Sequence, residues 1–116
     1  MSNPVTHFEI IGKDALKLQK FYADVFAWKL GAPAREFGNY SLFDNEGKGI
    51  GGGIGEGDAR VTVYIDVDDP QAYLDKALKA GGKMLMPVTH VMEGVTIALF
   101  ADPGGNTVGL SKSNSK

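Results

Sequence analysis

A histidine and a glutamate two positions apart, His7 and Glu9 in the stretch VTHFEI, are the first residues along this chain whose types could do chemistry. Side chains on a β-strand alternate between faces, so in a strand both project to one side, near enough to share a ligand, a proton or a metal ion. A second stretch, VTVYIDV, sets Thr62, Tyr64 and Asp66 at alternate positions in the same way. Imidazole, phenol and carboxylate groups all serve in proton transfer, although no spacing here tells acid from base. Val61, Val63, Ile65 and Val67 fill the other alternate positions and are expected to face a helix, leaving the polar set opposite. The plainer alternative is that His7 and Glu9 sit in a wet concavity without any chemistry.

The elements that must position these residues are read from periodicity. HFEII is a strand, Asp14 is a helix N-cap, and Leu18, Phe21, Tyr22, Val25 and Phe26 recur at helical spacing along one stripe. Three short strand candidates follow, WKLGA, NYSLF and GKGIGGGI, divided by Pro, Gly and Asn. The pattern then restarts. VTVYIDV is a strand, Asp69 a cap with Pro70 at the first helical position, QAYLDKALKA a helix closed by Gly81 and Gly82, and KMLMPVTHV, GVTIALF and NTVGLSK three more strands. A shift of 55 residues superposes Asp14 on Asp69, and a shift of 58 superposes Gly51 on Gly109. The chain therefore reads as βαβββ twice, over residues 4–55 and 60–112, with a polar tail at 113–116. Each unit is expected to lay one helix over one face of a four-stranded sheet.

Composition narrows the function classes. The 116 residues suffice for a single domain, and a formal charge of −2 with interspersed signs lacks the basic footprint of a nucleic-acid binder. Cysteine is absent, which excludes disulfides and thiolate metal sites and fits a reducing compartment. No apolar run reaches membrane-spanning length and the first residues lack a signal-peptide pattern, so a cytoplasmic location is expected. GKGIGG at 47–52 matches GxGxxG formally, but a nucleotide fingerprint opens a helix, and here more glycine and a strand follow. Those glycines instead let backbone or ligand approach closely. His90 is read as a surface or core-edge histidine, and Trp28 either as core or as an aromatic wall for a ligand.

HFEIIGKDALKLQKFYADVFAWKL, together with FADPGGNTVGL near the C-terminus, resembles the vicinal-oxygen-chelate superfamily of glyoxalases, bleomycin-resistance proteins and extradiol dioxygenases. The resemblance covers residues 4 to 112. It implies an α+β fold in which two tandem βαβββ modules form a curved mixed sheet around a cavity. One departure is Ala27, where such proteins often carry glycine at the helix C-terminus. The resemblance also implies metal-ligand positions at His7, Thr62, Gly51 and Gly109, and only the first of these carries a ligand side chain. A zinc or iron site needs three protein ligands, so no metal and no other cofactor is expected.

The resulting expectation is a glyoxalase-like protein that binds a small molecule in the cavity of its sheet without a metal. Its ligand-binding residues would be His7, Glu9, Trp28, Gly51, Thr62, Tyr64, Asp66 and Gly109. A lyase-like or isomerase-like activity is implied by resemblance alone, and catalytic residues are not assigned. The alternative is a resistance-type protein that sequesters a drug-like or cationic compound through Glu9, Asp66, Tyr64 and Trp28 without catalysis. A homodimer is expected, with neither nucleic acid nor membrane as a partner.

Overall fold

Both helices start where a short polar side chain can satisfy free backbone donors. In the computed structural model, which describes residues 3–113, Asp14 Oδ1 accepts from the Lys17 N–H at 3.1 Å and Asp69 Oδ1 from the Ala72 N–H at 3.3 Å. The first helix, α1, spans Ala15–Phe26, and the second, α2, spans Pro70–Lys79 with proline in its first turn. Helix α1 ends on Ala27 in the left-handed region (φ 57, ψ 31), its N–H donating to Ala23 O. The turn is the one glycine favours, and alanine adopts it here all the same.

Strands β1 (Val5–Gly12), β2 (Lys29–Leu30), β3 (Ser41–Asp44) and β4 (Gly51–Glu56) surround α1 in sequence. Strands β5 (Arg60–Val67), β6 (Lys83–Met92), β7 (Val95–Ala101) and β8 (Thr107–Lys112) do the same for α2. In the first set β1 pairs parallel with β4, and β4–β3 and β3–β2 are antiparallel. The second set repeats this, with β5 parallel to β8 and β8–β7 and β7–β6 antiparallel. The fold is thus mixed α+β, with tandem βαβββ modules. Two compact units are distinguishable, residues 7–62 and residues 63–113 with 3–6. Of the expected polar tail, only Ser113 falls within the described residues; its N–H donates to Val67 O at 2.6 Å.

The cores form where helix meets sheet. Val67, Leu74, Ala98 and Leu110 are buried together in the second unit, with Ile65, Tyr73, Val88 and Phe100 packed around them. In the first unit the buried helix residues are Ala15 and Gln19, not the aromatic stripe. Gln19 Nε2 donates to Asn39 O at 2.8 Å and Ile54 O at 2.9 Å, tying α1 to the sheet through a satisfied polar group. Leu18 and Tyr22 are half-buried, whereas Phe21, Val25 and Phe26 are exposed.

The expectation that all four alternate apolar residues of β5 lie beneath the helix holds for Ile65 and Val67 only. Val61 is 71% exposed and Val63 37%, while Thr62 and Tyr64 are the buried ones at 1% and 4%. Tyr64 is covered where its ring packs on the bare backbone of Gly109, and Thr62 where it meets Arg60, so the buried set there is the polar one.

Candidate functional site

Residues paired across parallel strands share a face, so the register of β1 with β4 sets His7 beside Gly51 and Glu9 beside Gly53 on one side. Phe8 and Gly52 lie on the other. Tyr40 reaches the His7 side from a turn that follows a short 3-10 helix, Arg35–Phe37, and passes through left-handed Gly38 and Asn39. Its hydroxyl lies 3.0 Å from His7 Nε2.

Glycine makes this approach possible. A Cβ at Gly53 would lie 2.2 Å from the Tyr40 ring and one at Gly55 2.6 Å from it, so the phenol rests directly on bare backbone. On the opposite face Gly52 accommodates Phe8 in the same manner, a Cβ there falling 2.2 Å from its ring. Gly51 differs, because nothing lies within 4 Å of where its Cβ would be. Beside His7, then, the surface of β4 is open.

Glu9 is held by an ion pair. Its Oε1 lies 3.1 Å from Arg60 Nη2, and Arg60 Nη1 donates to Thr62 Oγ1 at 2.6 Å. Both charged side chains are largely shielded from solvent, which strengthens the pair relative to a surface bridge. His7 has a pKa lowered from the ordinary 6.5, chiefly by burial and with the Glu9 charge working in the opposite direction. At neutral pH its imidazole is uncharged, and one ring nitrogen can accept a hydrogen bond while the other donates. A neutral imidazole touching a phenol can pass or receive a proton, and can orient a carbonyl or hydroxyl group set beside it.

The other expected residues are distributed as follows. In the unit of residues 63–113, Tyr64 is register-paired with Gly109, and its ring lies where a Gly109 Cβ would be, 2.3 Å away. Asp66 Oδ1 accepts from Ser111 Oγ at 3.3 Å. Trp28 belongs to the same unit as His7 and Glu9 but packs against other residues. It stacks on Phe43 at 4.2 Å and Tyr22 at 5.2 Å and meets Phe8 at 5.8 Å, which is packing on the Phe8 side of the strand. His90 is exposed, its Nδ1 3.2 Å from Thr96 Oγ1. Sequence reasoning missed Tyr40 and Arg60. Arg60 precedes Thr62, Tyr64 and Asp66 by the same two-residue step and was open to discovery; Tyr40 carried no periodic signal.

The model of the Glyoxalase/Bleomycin resistance protein/Dioxygenase superfamily matches residues 5–110. The chain belongs to this superfamily. Among curated relatives, the candidate glyoxylase CFP32 of Mycobacterium bovis is 29% identical over 110 residues, 87% of this chain and 42% of its own length. The chain thus spans less than half of that relative. A "Glyoxylase-like domain-containing protein" of Didymella fabae is 31% identical over 113 residues, covering 89% of this chain and 88% of its own. Of solved structures, hypothetical protein BH1468 from Bacillus halodurans superposes with a TM-score of 0.72 at 14% identity, over 100% of this chain and 98% of that one. Methylmalonyl-CoA epimerase from Mycobacterium tuberculosis superposes with a TM-score of 0.69 at 14% identity, over 96% and 88%. These superpositions establish the superfamily fold.

Metal-using superfamily members would draw ligands from the positions of His7, Gly51, Thr62 and Gly109, and the donor set here does not fit. The partner of His7 in register is a glycine, Gly109 lies beneath a tyrosine ring, and Thr62 accepts from Arg60. Among the described residues no group of three or more His, Cys, Asp or Glu could hold a metal ion.

Proposed function

We propose that the protein binds a small carbonyl-containing or carboxylate-containing molecule beside His7 and Tyr40, without a metal. The observation that carries this reading is the 3.0 Å contact between His7 Nε2 and the Tyr40 hydroxyl next to the open surface of Gly51. A neutral imidazole and a phenol offer a donor and an acceptor to one ligand group, and bare backbone lets that group approach closely. The term glyoxylase in the names of the relatives is in keeping with a small oxygenated ligand. The cation-sequestering alternative is less well supported, because the Glu9 carboxylate is already matched by Arg60 at 3.1 Å.

The proposal extends to the surroundings of the protein. A cytoplasmic location is supported by the absence of cysteine, and none of the described helices is long and apolar enough to cross a membrane. A homodimer is supported by exposed Phe21, Val25, Phe26, Leu42 and Val61, apolar side chains that association would take out of water. Screening a panel of small 2-oxo acids and aldehydes by protein-observed NMR tests the site. Hits should weaken about tenfold, the scale of one lost polar contact to a buried group, in His7→Gln and in Tyr40→Phe. Hits of unchanged affinity in both variants would contradict it, and turnover of a hit would distinguish an enzyme from a binding protein.

A further inference from the structure

A cavity lies on the helix side of the unit formed by residues 63–113 with 3–6, and none of its lining residues belongs to the proposed site. It is a cleft of about 400 Å³, within the range of small-molecule sites. Its apolar lining comes from Ile65, Val67, Phe100 and Leu110 of the sheet and Ala77 of α2. Val67 and Leu110 are buried, whereas Ile65 and Phe100 are only partly covered, so the cleft has an apolar floor that the chain itself leaves open to a ligand.

Two polar side chains gather around one phenol in this cleft. The Lys76 ammonium sits over the Tyr73 ring, 4.6 Å from its centroid, and Asn3 Nδ2 lies 3.4 Å from the Tyr73 hydroxyl. The other end of that amide, Oδ1, is buried and finds no hydrogen-bond partner among the described residues. Such an atom costs stability unless something supplies a donor. A cation, an unmet acceptor and an apolar floor around Tyr73 are complementary to a ligand with an anion, a hydrogen-bond donor and an apolar body.

We propose that this cleft binds a 2-hydroxy carboxylic acid with an aromatic or branched apolar side chain. The carboxylate meets Lys76, the hydroxyl donates to Asn3 Oδ1, and the side chain lies against Ile65, Phe100 and Leu110. Binding is non-covalent and independent of the His7 and Tyr40 site.

Titration of the full chain with L-3-phenyllactate, followed by amide NMR shifts, tests the proposal. Shifts should concentrate on residues 65–77 and around 100 and 110, leaving residues 7, 40 and 51 unmoved. Lys76→Gln should weaken binding about tenfold, as should Asn3→Leu, which keeps the side chain's size and removes its amide. Against the unaltered chain, 3-phenylpropionate, which lacks the hydroxyl, should bind about tenfold more weakly. Ala77→Phe should fill the cleft and abolish binding; its folding is checked by the dispersion of the same spectra, and Ala77→Leu, a smaller filling variant expected to weaken binding, replaces it if it does not fold. No saturable shift at millimolar phenyllactate, shifts centred on His7, or full affinity in Lys76→Gln and Asn3→Leu would each overturn the proposal.

Discussion

His7 is the residue on which the proposed chemistry turns, and its titration has a sign that can be checked. Burial lowers its pKa from 6.5, and the neighbouring Glu9 charge partly offsets this. NMR titration should therefore find an apparent pKa below 6.5, and Glu9→Gln should lower it further. Because the unfolded chain takes up this proton at a higher pH than the folded one, the stability due to His7 is full above 6.5 and declines as pH falls toward the lowered value. Denaturant melts of His7→Gln should show a flatter pH dependence over that window; an equally steep one would mean that other groups carry it. The glycines beside it separate two kinds of position. Gly53→Ala forces the Tyr40 ring aside and should cost about 1–3 kcal/mol, the range for overpacking, whereas Gly51→Ala, with nothing within 4 Å, should leave stability nearly unchanged. Equal costs in thermal melts would rule out the packing of Tyr40 on Gly53.

Helix α1 tests how far an element can depart from its favoured ending. Ala27 holds φ 57, a conformation that costs a residue with a Cβ about 1–2 kcal/mol and costs glycine little. Glycine also gains freedom in the unfolded chain, so Ala27→Gly should stabilise by a net of about 0.5–1 kcal/mol, read as a higher urea midpoint. A lower midpoint would show that the Ala27 side chain makes contacts that outweigh the strain. Local signals made the elements legible in the sequence. Asp14 and Asp69 cap their helices, Pro70 opens one, and the alternation in β1 places Phe8 opposite His7 and Glu9. What escaped was set by tertiary packing. Nothing near Tyr40 in sequence indicates that it will cross to His7, 33 positions earlier, and Gln19 is buried only because two carbonyls from distant turns and strands converge on it. Tyr64 is buried because its ring packs on the bare backbone of Gly109, a contact that alternation alone cannot reveal. Of the expected site, the placement of His7 and Glu9 on one side of β1 was legible from alternation, whereas the Arg60 bridge between Glu9 and Thr62 and the packing of Trp28 on Phe8 and Phe43 depended on tertiary packing.

At the scale of the molecule, two modules of one topology carry different side chains at matching positions, and superfamily chemistry is not transferred with the fold. Where Gly51 is open, Gly109 lies under Tyr64, so the two modules present unlike surfaces at corresponding sites. The proposed homodimer predicts twice the chain mass of 12.4 kDa by light scattering after size-exclusion chromatography at micromolar concentration. Phe21→Ser and Leu42→Ser, both at exposed positions, should shift that mass toward the monomer if their surfaces form the contact. A single-chain mass in the unaltered protein would contradict the dimer. The central claim, that His7 and Tyr40 form a small-molecule site, is tested most directly by mapping the amide shifts of hits from the oxo-acid and aldehyde panel. The shifts should converge on residues 7, 40 and 51–53 and weaken about tenfold in Tyr40→Phe, a loss on the scale of one polar contact. Hits that leave those residues unmoved and bind Tyr40→Phe as tightly as the unaltered chain would contradict the account.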